Sequence, residues 1–381
     1  MKIGFDAKRA VRNMTGLGNY SRLVVDVLSQ AHPADEFVLY APRPQANARL
    51  EPLLARPNVT LAGPDTASGR HFSSIWRIGP ITSQLKRDGI ELFHGLSNEL
   101  PLDIASSGIP SVVTIHDVIF RHFPHCYKAI DRRIYDYKFG RAARNATRII
   151  AISRRTACDI IDAYGVDPAK IDIVYQGCDA QFRRAVPPAE TEAVKTRYGL
   201  DFPYIIGVGT IEERKNQMLT LKALRGLPAD VRLVLVGRAT PYAGQIAAEA
   251  SRLGLSERLH ILQGVPFTDF PALYAGAIAS AYPSRYEGFG IPVIESLSVG
   301  CPVVVATGSC LEEAGGELTP AVSPDDPDAL AFELSRLISD SRHRADVIEA
   351  GRCHAATFSD SRMEREIYGT YNKAIICQKN S

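Results

Sequence analysis

No apolar run in this 381-residue chain approaches the length of a membrane span; the longest are strand-sized. The seven cysteines, at 126, 158, 178, 301, 310, 353 and 377, are scattered with no Cys-x-x-Cys pair. That argues against a zinc site and for a reducing cytoplasm. The first residues read as a strand, 2–6, rather than a signal peptide, so a cytoplasmic location is expected. The glycine turn that follows, Gly16-Leu17-Gly18, lacks the third glycine of a dinucleotide fingerprint, and no ribose-binding acid follows at the right distance. An NAD-dependent oxidoreductase is disfavoured on that ground. No cluster of metal-ligating residues is evident, so neither a metal nor any other cofactor is expected.

What is present describes an ordinary globular chain, 45% apolar and 23% charged, long enough for two domains. The net charge of +2 hides an asymmetry. Residues 1–185 carry 25 Lys and Arg against 18 Asp and Glu, and the remainder carries 19 against 24. Much of the excess sits in 128–148, where Arg132, Arg133, Lys138, Arg141, Arg144 and Arg148 interleave with Tyr127, Ile134, Tyr135, Tyr137 and Phe139. A basic, aromatic helix of this kind could meet anionic lipid headgroups at the inner face of a membrane. A solvated helix whose aromatics face the core accounts for the pattern at least as well. Nucleic acid is a poorer partner, since no recognised motif accompanies the charge.

Strand and helix signals alternate through both halves, which implies a doubly wound α/β architecture with parallel sheets. In the first half the strands are expected at 2–6, 36–40, 59–61, 92–94, 111–115, 148–152 and 171–174, with helices near 19–29 and 74–86. Ser153 suits the cap of a further helix that ends near Gly165. The pattern lapses around 183–192, at Pro187-Pro188, which reads as a linker. It resumes with strands at 204–208, 232–236 and 259–262, and closes with two or more helices over 325–373. Ligands in such sheets bind outside the carboxyl ends of the strands.

Residues 284–306 are the most informative. An apolar strand, 277–282, breaks at Pro283, and a loop follows with Glu287 between Tyr286 and the glycines Gly288 and Gly290. Pro292 suits the start of a helix and Gly300 its stop, with another strand at 301–306. Glu295 is expected in the helix's first turn. Loop amides and a helix start favour a phosphate, whereas carboxylates beside a phosphate suit hydroxyls. A ligand with both is a nucleotide sugar. A solvated Glu287 and a Glu295 that only complements the helix dipole would explain the bare spacing.

The string Glu287-Gly288-Phe289-Gly290-Ile291-Pro292-Val293-Ile294-Glu295 closely resembles the E-x7-E signature of retaining glycosyltransferases of family 4, which have the GT-B fold. The resemblance implies two Rossmann-like domains facing across a cleft: an acceptor-binding domain over 1–182, a nucleotide-sugar-binding domain over 183–357, and a helix in 358–381 crossing back to the first. It also implies that Glu295 holds the donor's ribose hydroxyls and that Glu287 contacts the donor sugar. Gly288, Phe289, Gly290 and Ile291 then line the donor. Gly16 and Gly18 match the family's glycine loop on the diphosphate side, although a tight turn would also account for them. Thr114-Ile115-His116-Asp117 resembles the His-Asp motif, whose histidine touches the donor sugar; Asp117 either orients the ring or caps the next turn. His94, at another strand end, is a second cleft candidate. After Gly209, the cations Arg214 and Lys215 would stabilise a departing diphosphate in place of a metal.

Weaker matches in the same order extend the likeness along most of the chain. They include Ala151-Ile152-Ser153, Gln176-Gly177-Cys178-Asp179 and the stretch from Leu311 to Gly316. The expected activity is therefore retaining, metal-independent transfer of a hexose from a nucleotide diphosphate sugar to a glycan or lipid-linked hydroxyl. The Gly209–Asn216 variant resembles branches that build bacterial surface polysaccharides, including lipopolysaccharide, often with mannose; GDP-mannose is the leading donor. Two rivals stay open: a non-catalytic module that binds nucleotide sugars or glycans, and a synthase or phosphorylase of the same fold.

Overall fold

A computed structural model describes residues 1–13 and 16–379. The chain divides into two compact units, one formed by residues 1–176 with 359–381, the other by residues 177–358. The first is built on strands β1 (Lys2–Asp6), β2 (Glu36–Tyr40), β3 (Val59–Ala62), β4 (Leu92–Gly95), β5 (Ser111–Ile115), β6 (Arg148–Ala151) and β7 (Ile171–Ile173). Among the described residues they form one parallel sheet in the order β3-β2-β1-β4-β5-β6-β7. The second unit has β8 (Tyr204–Val208), β9 (Arg232–Val236), β10 (Leu259–Leu262), β11 (Ala279–Tyr282), β12 (Val303–Ala306) and β13 (Ala321–Val322), ordered β10-β9-β8-β11-β12-β13, again parallel. In each sheet the chain winds outward, returns, and winds the other way. The strand order therefore reverses between β1 and β4 and between β8 and β11, the places where such sheets open a crevice.

The strands are apolar on both faces because helices cover both. Val303, Val304, Val305 and Ala306 are all fully buried, as are Ile3, Phe5, Val112 and Ile150. The first unit's core includes Met363, Ile367, Tyr371 and Ala374 of the terminal helix Asp360–Lys379, which belongs to that unit. Local capping is as read from sequence for the helix Arg154–Tyr164: Ser153 Oγ accepts the Thr156 N–H, and Gly165 takes the left-handed turn at its end.

Several elements differ from expectation. The single helix expected over 74–86 is split into Ser73–Ile78 and Ile81–Arg87, preceded by Ala67–His71, because Gly79-Pro80 interrupts the hydrogen-bond ladder. The expected linker over 183–192 is helical from Pro188 onward, in Pro188–Arg197: the proline opens a helix there rather than marking a break. In the basic helix, Ala129–Asn145, Phe139 is buried and Tyr135 stacks beside it, but Tyr137, Ile130 and Ile134 are exposed. Its aromatics therefore do not all face the core.

Candidate active site

In the second unit, the loops after β8 and β11 flank the point where strand order reverses, and they carry the predicted charges. Gly209 leaves β8 at φ +134°, and Lys215 folds back over it. A short turn, Glu213–Lys215, ends at Asn216 in the left-handed region. Asn216 Nδ2 donates to the carbonyls of Pro283 at 3.0 Å and Pro324 at 2.7 Å, tying together the loops after β8, β11 and β13. The Arg285 N–H adds a bond to the Arg214 carbonyl at 2.9 Å.

This frame brings three charged side chains into contact. Lys215 Nζ lies 2.8 Å from Glu287 Oε1, and Arg214 Nη1 lies 2.7 Å from Glu287 Oε2. Arg214 also donates to the Tyr286 carbonyl at 2.6 Å and pairs with Glu212 at 2.5 Å. Burial alone would raise the Glu287 carboxyl, but Lys215 and Arg214 outweigh it and hold it down at about 2. Burial likewise works against the Arg214 charge, and Glu287 and Glu212 more than restore it.

Glu295 behaves oppositely. It is the fifth residue of the helix Ile291–Val299, in its second turn; the expected first-turn position is corrected because Gly290, at φ +142°, is the cap and Ile291 the first helical residue. Burial and then the nearby Asp179 charge push its carboxyl up to about 8, against a hydrogen bond with Tyr274 and the pull of Lys215. A carboxyl raised to about 8 is largely protonated at neutral pH. Neither Tyr274 nor Asp179 stood out as a neighbour of Glu295 in the sequence.

The glycine loop is held by packing on its far side. Phe289 is buried edge-on against Phe358, with centroids 5.4 Å apart, so it offers the site its backbone rather than its ring. Cys310 Sγ lies 3.1 Å from the Glu287 carbonyl and 2.8 Å from that of Phe289. A Cβ at Gly290 would stand 3.0 Å from Ala314 Cβ, which adds packing to the backbone reason for glycine. Gly288 and Ile291 are half-buried and accessible.

In the first unit, Gly16 opens the helix Gly16–Ala31; Met14 and Thr15 lie outside the described residues. Gly18 is dictated by close approach, since a Cβ there would fall 1.8 Å from the Asn13 carbonyl oxygen. Arg22, which sequence reasoning passed over, braces the same turn by donating to the carbonyls of Ala10 at 2.8 Å and Asn13 at 3.0 Å. His116 follows β5. Its N–H donates to Asn98 Oδ1 at 2.7 Å, and Nε2 faces the Leu96 carbonyl at 2.9 Å, which assigns the ring proton to Nε2. Burial lowers His116 to about 4, so it is neutral. Asp117 Oδ1 accepts the Ile119 N–H at 3.1 Å, capping the next turn.

His94 is corrected from a cleft residue to a core one. It is fully buried, with Nδ1 2.7 Å from Tyr371 Oη and Nε2 2.9 Å from Thr114 Oγ1. Both nitrogens are used internally, so the ring has nothing to offer a ligand. Among the described residues, no three His, Cys, Asp or Glu side chains cluster as a metal site would require.

Two doubly wound parallel units, one with a glycine loop and two glutamates beside paired cations, define the GT-B class of fold. Residues 16–182 match the description Glycosyltransferase Family 4, and residues 189–354 match Glycosyl transferases group 1. The chain belongs to this family of glycosyltransferases. It is 28% identical over 278 residues, 70% of each chain, to O-antigen chain mannosyltransferase B of Escherichia coli. It is 31% identical over 248 residues to D-inositol 3-phosphate glycosyltransferase of Salinispora tropica, covering 60% of this chain and 52% of that one. The solved structure of Anabaena Alr3699/HepE in complex with UDP and glucose is similar in fold, with a TM-score of 0.72 at 20% identity over 98% of this chain and 99% of that one.

Proposed function

We propose that this glycosyltransferase moves a hexose, with mannose from GDP-mannose the leading choice, to a hydroxyl of a glycan or lipid-linked acceptor, with retention and without a metal. The observation that carries the reading is the grip of Arg214 and Lys215 on Glu287 beside the Gly288–Gly290 loop. Two fixed cations supply what a diphosphate leaving group needs. Glu287, freed from them as the diphosphate takes its place, accepts hydrogen bonds from the sugar's hydroxyls. Glu295 receives the ribose hydroxyls, and His116, a neutral ring, contacts the sugar by family resemblance. In the proposed step the bond from the anomeric carbon to the diphosphate breaks, the acceptor oxygen joins that carbon from the same face, and its proton passes to the departing phosphate oxygen.

The likeness to an O-antigen mannosyltransferase supports mannose and surface-polysaccharide assembly; that to an inositol phosphate glycosyltransferase keeps other donors in the test. The purified protein is titrated with UDP-, GDP-, ADP- and dTDP-sugars in EDTA, following thermal shift and donor hydrolysis. Stabilisation by GDP-mannose with slow hydrolysis is expected. A response only to another donor overturns the mannose assignment, and no response to any overturns the donor site.

A further inference from the structure

We infer that the buried hydroxyl pair Tyr274–Tyr282 positions Glu295 for the donor's ribose, by delivering to its carboxylate a hydrogen bond whose direction is set at the far end by a backbone N–H. Both phenols are buried, one on the helix Phe270–Ala275 and the other at the end of β11. Their hydroxyl oxygens lie 2.6 Å apart. The Val208 N–H, at the end of β8, donates to Tyr282 Oη at 3.2 Å. A backbone N–H cannot reverse its role, so Tyr282 accepts there and gives its own proton to Tyr274. The opposite order would leave the buried Tyr282 proton without an acceptor among the described residues. Tyr274 Oη passes its proton onward. It lies 3.3 Å from the Pro292 carbonyl, a group already used by the helix ladder, and is hydrogen-bonded to Glu295 three residues along the same helix face. The series Val208, Tyr282, Tyr274, Glu295 therefore runs in one direction and ends on the carboxylate.

Hydrogen bonds in series strengthen one another, and a donor aimed at an anion holds it ionised. That is the form Glu295 needs to accept a ribose hydroxyl, and burial with the Asp179 charge works against it. Lys215 and Cys178 also face the carboxyl, but Lys215 is taken by Glu287 and the Cys178 thiol lies 3.4 Å from Ser298 Oγ. Burial pushes both phenols well above their ordinary range, so they stay protonated donors. The pair thus orients a charge without carrying one. Glu287, gripped by two cations, has no such need. The inference rests on the proposed ribose contact and adds to it the residues that let it form near neutral pH.

Tyr274→Phe removes the hydroxyl that reaches Glu295, and Tyr282→Phe removes the one behind it. The Glu295 carboxyl is followed by carbon-13 NMR of the glutamate-labelled, ligand-free full chain, identified by the signal that Glu295→Gln deletes. Its titration midpoint should rise by about one pH unit in Tyr274→Phe, the scale of one hydrogen bond to a charged group, and by less in Tyr282→Phe. Affinity for GDP, or for UDP should GDP not bind, is read by calorimetry. In Tyr274→Phe it should fall about tenfold at about pH 7 and come within about twofold of wild type at about pH 9.5, where both carboxyls are mostly ionised. Inorganic pyrophosphate, which has no ribose, should bind wild type and both variants alike. An unmoved midpoint in Tyr274→Phe overturns the inference, and so does an affinity gap that stays the same at both pH values, the mark of a purely structural role. Should Tyr274→Phe fail to fold, Tyr282→Phe decides by the same shift. A midpoint that moves while nucleotide affinity matches wild type at both pH values overturns the ribose contact, and the positioning role with it. Wild type that binds neither nucleotide overturns the donor reading, and the carboxyl titration still decides the hydrogen bond.

Discussion

Lys215 Nζ stands 2.8 Å from Glu287 Oε1, so the cation placed to meet a phosphate is already held by the carboxylate expected to meet the sugar. With Arg214 on the other oxygen and Glu212 paired to Arg214, two carboxylates balance the two cations. Entry of a diphosphate must exchange one anion for another. In the proposed reading, binding energy is thereby reserved for a ligand that carries both a diphosphate and hydroxyls for the displaced carboxylate.

Glu287→Gln removes the competing anion. A bare nucleoside diphosphate should then bind several-fold more tightly at low salt, as measured by calorimetry. Transfer should fall by roughly 100-fold, the scale of losing one charged group in a preorganised site. Unchanged diphosphate affinity would mean that Glu287 does not shield the cations. The variant should also lose one component of acid lability. A carboxyl depressed to about 2 contributes stability that is complete above the unfolded value and fades as pH falls toward 2.

Glu295 gives the opposite sign. Its folded value, raised to about 8, penalises the folded state as pH climbs from the ordinary carboxylate range through 8. Glu295→Gln should therefore raise the melting temperature at about pH 8.5 but not at about pH 3, where both states are protonated. If ribose hydroxyls donate to the ionised carboxylate, donor binding should release a proton near pH 7. Calorimetry in buffers of different ionisation enthalpy reads that directly, and zero proton release would contradict the assigned role.

Asn216→Ala cuts the two bonds that join the loops after β8, β11 and β13. One buried and one half-buried carbonyl lose a donor, and a non-glycine residue is left at φ +56°. A loss of about 2–4 kcal/mol is expected from urea melts, at 1–3 kcal/mol for each buried group left unsatisfied. Asn216→Gly relieves the backbone but restores neither bond. It should recover only the smaller part, which separates the tie from the strain.

The strands were legible because parallel-sheet strands are buried on both faces, and runs such as Val303-Val304-Val305 have no other reading. The contact between Glu287 and the Arg214-Lys215 step was legible indirectly. Each follows a strand, and β8 and β11 are neighbours where the order reverses. What surrounds Glu295 was not. Tyr274 and Asp179 come from distant segments with no pattern that announces convergence, so the carboxyl's raised value could not be foreseen. His94 misled because a strand-end histidine looks the same in sequence whether its neighbour is solvent or a helix from the other end of the chain.

That helix supplies the last prediction. Tyr371 Oη meets His94 Nδ1 at 2.7 Å, His94 Nε2 meets Thr114 Oγ1 at 2.9 Å, and Thr114 Oγ1 meets Tyr20 Oη at 3.1 Å. Tyr20 then packs edge-on against His116, with centroids 4.6 Å apart. The chain of contacts runs from the terminal helix to the ring assigned to the sugar. Tyr371→Phe keeps the packing and removes one hydroxyl, leaving a fully buried imidazole nitrogen unpaired. The cost should be about 1–3 kcal/mol in urea melts. Affinity for a nucleoside diphosphate should be unchanged, because the cations that would bind it lie in the other unit. If the network only braces the fold, kcat will also hold. If it sets the His116 ring through Tyr20, kcat will fall while KM for the donor stays near wild type, and His94→Phe will show the same split.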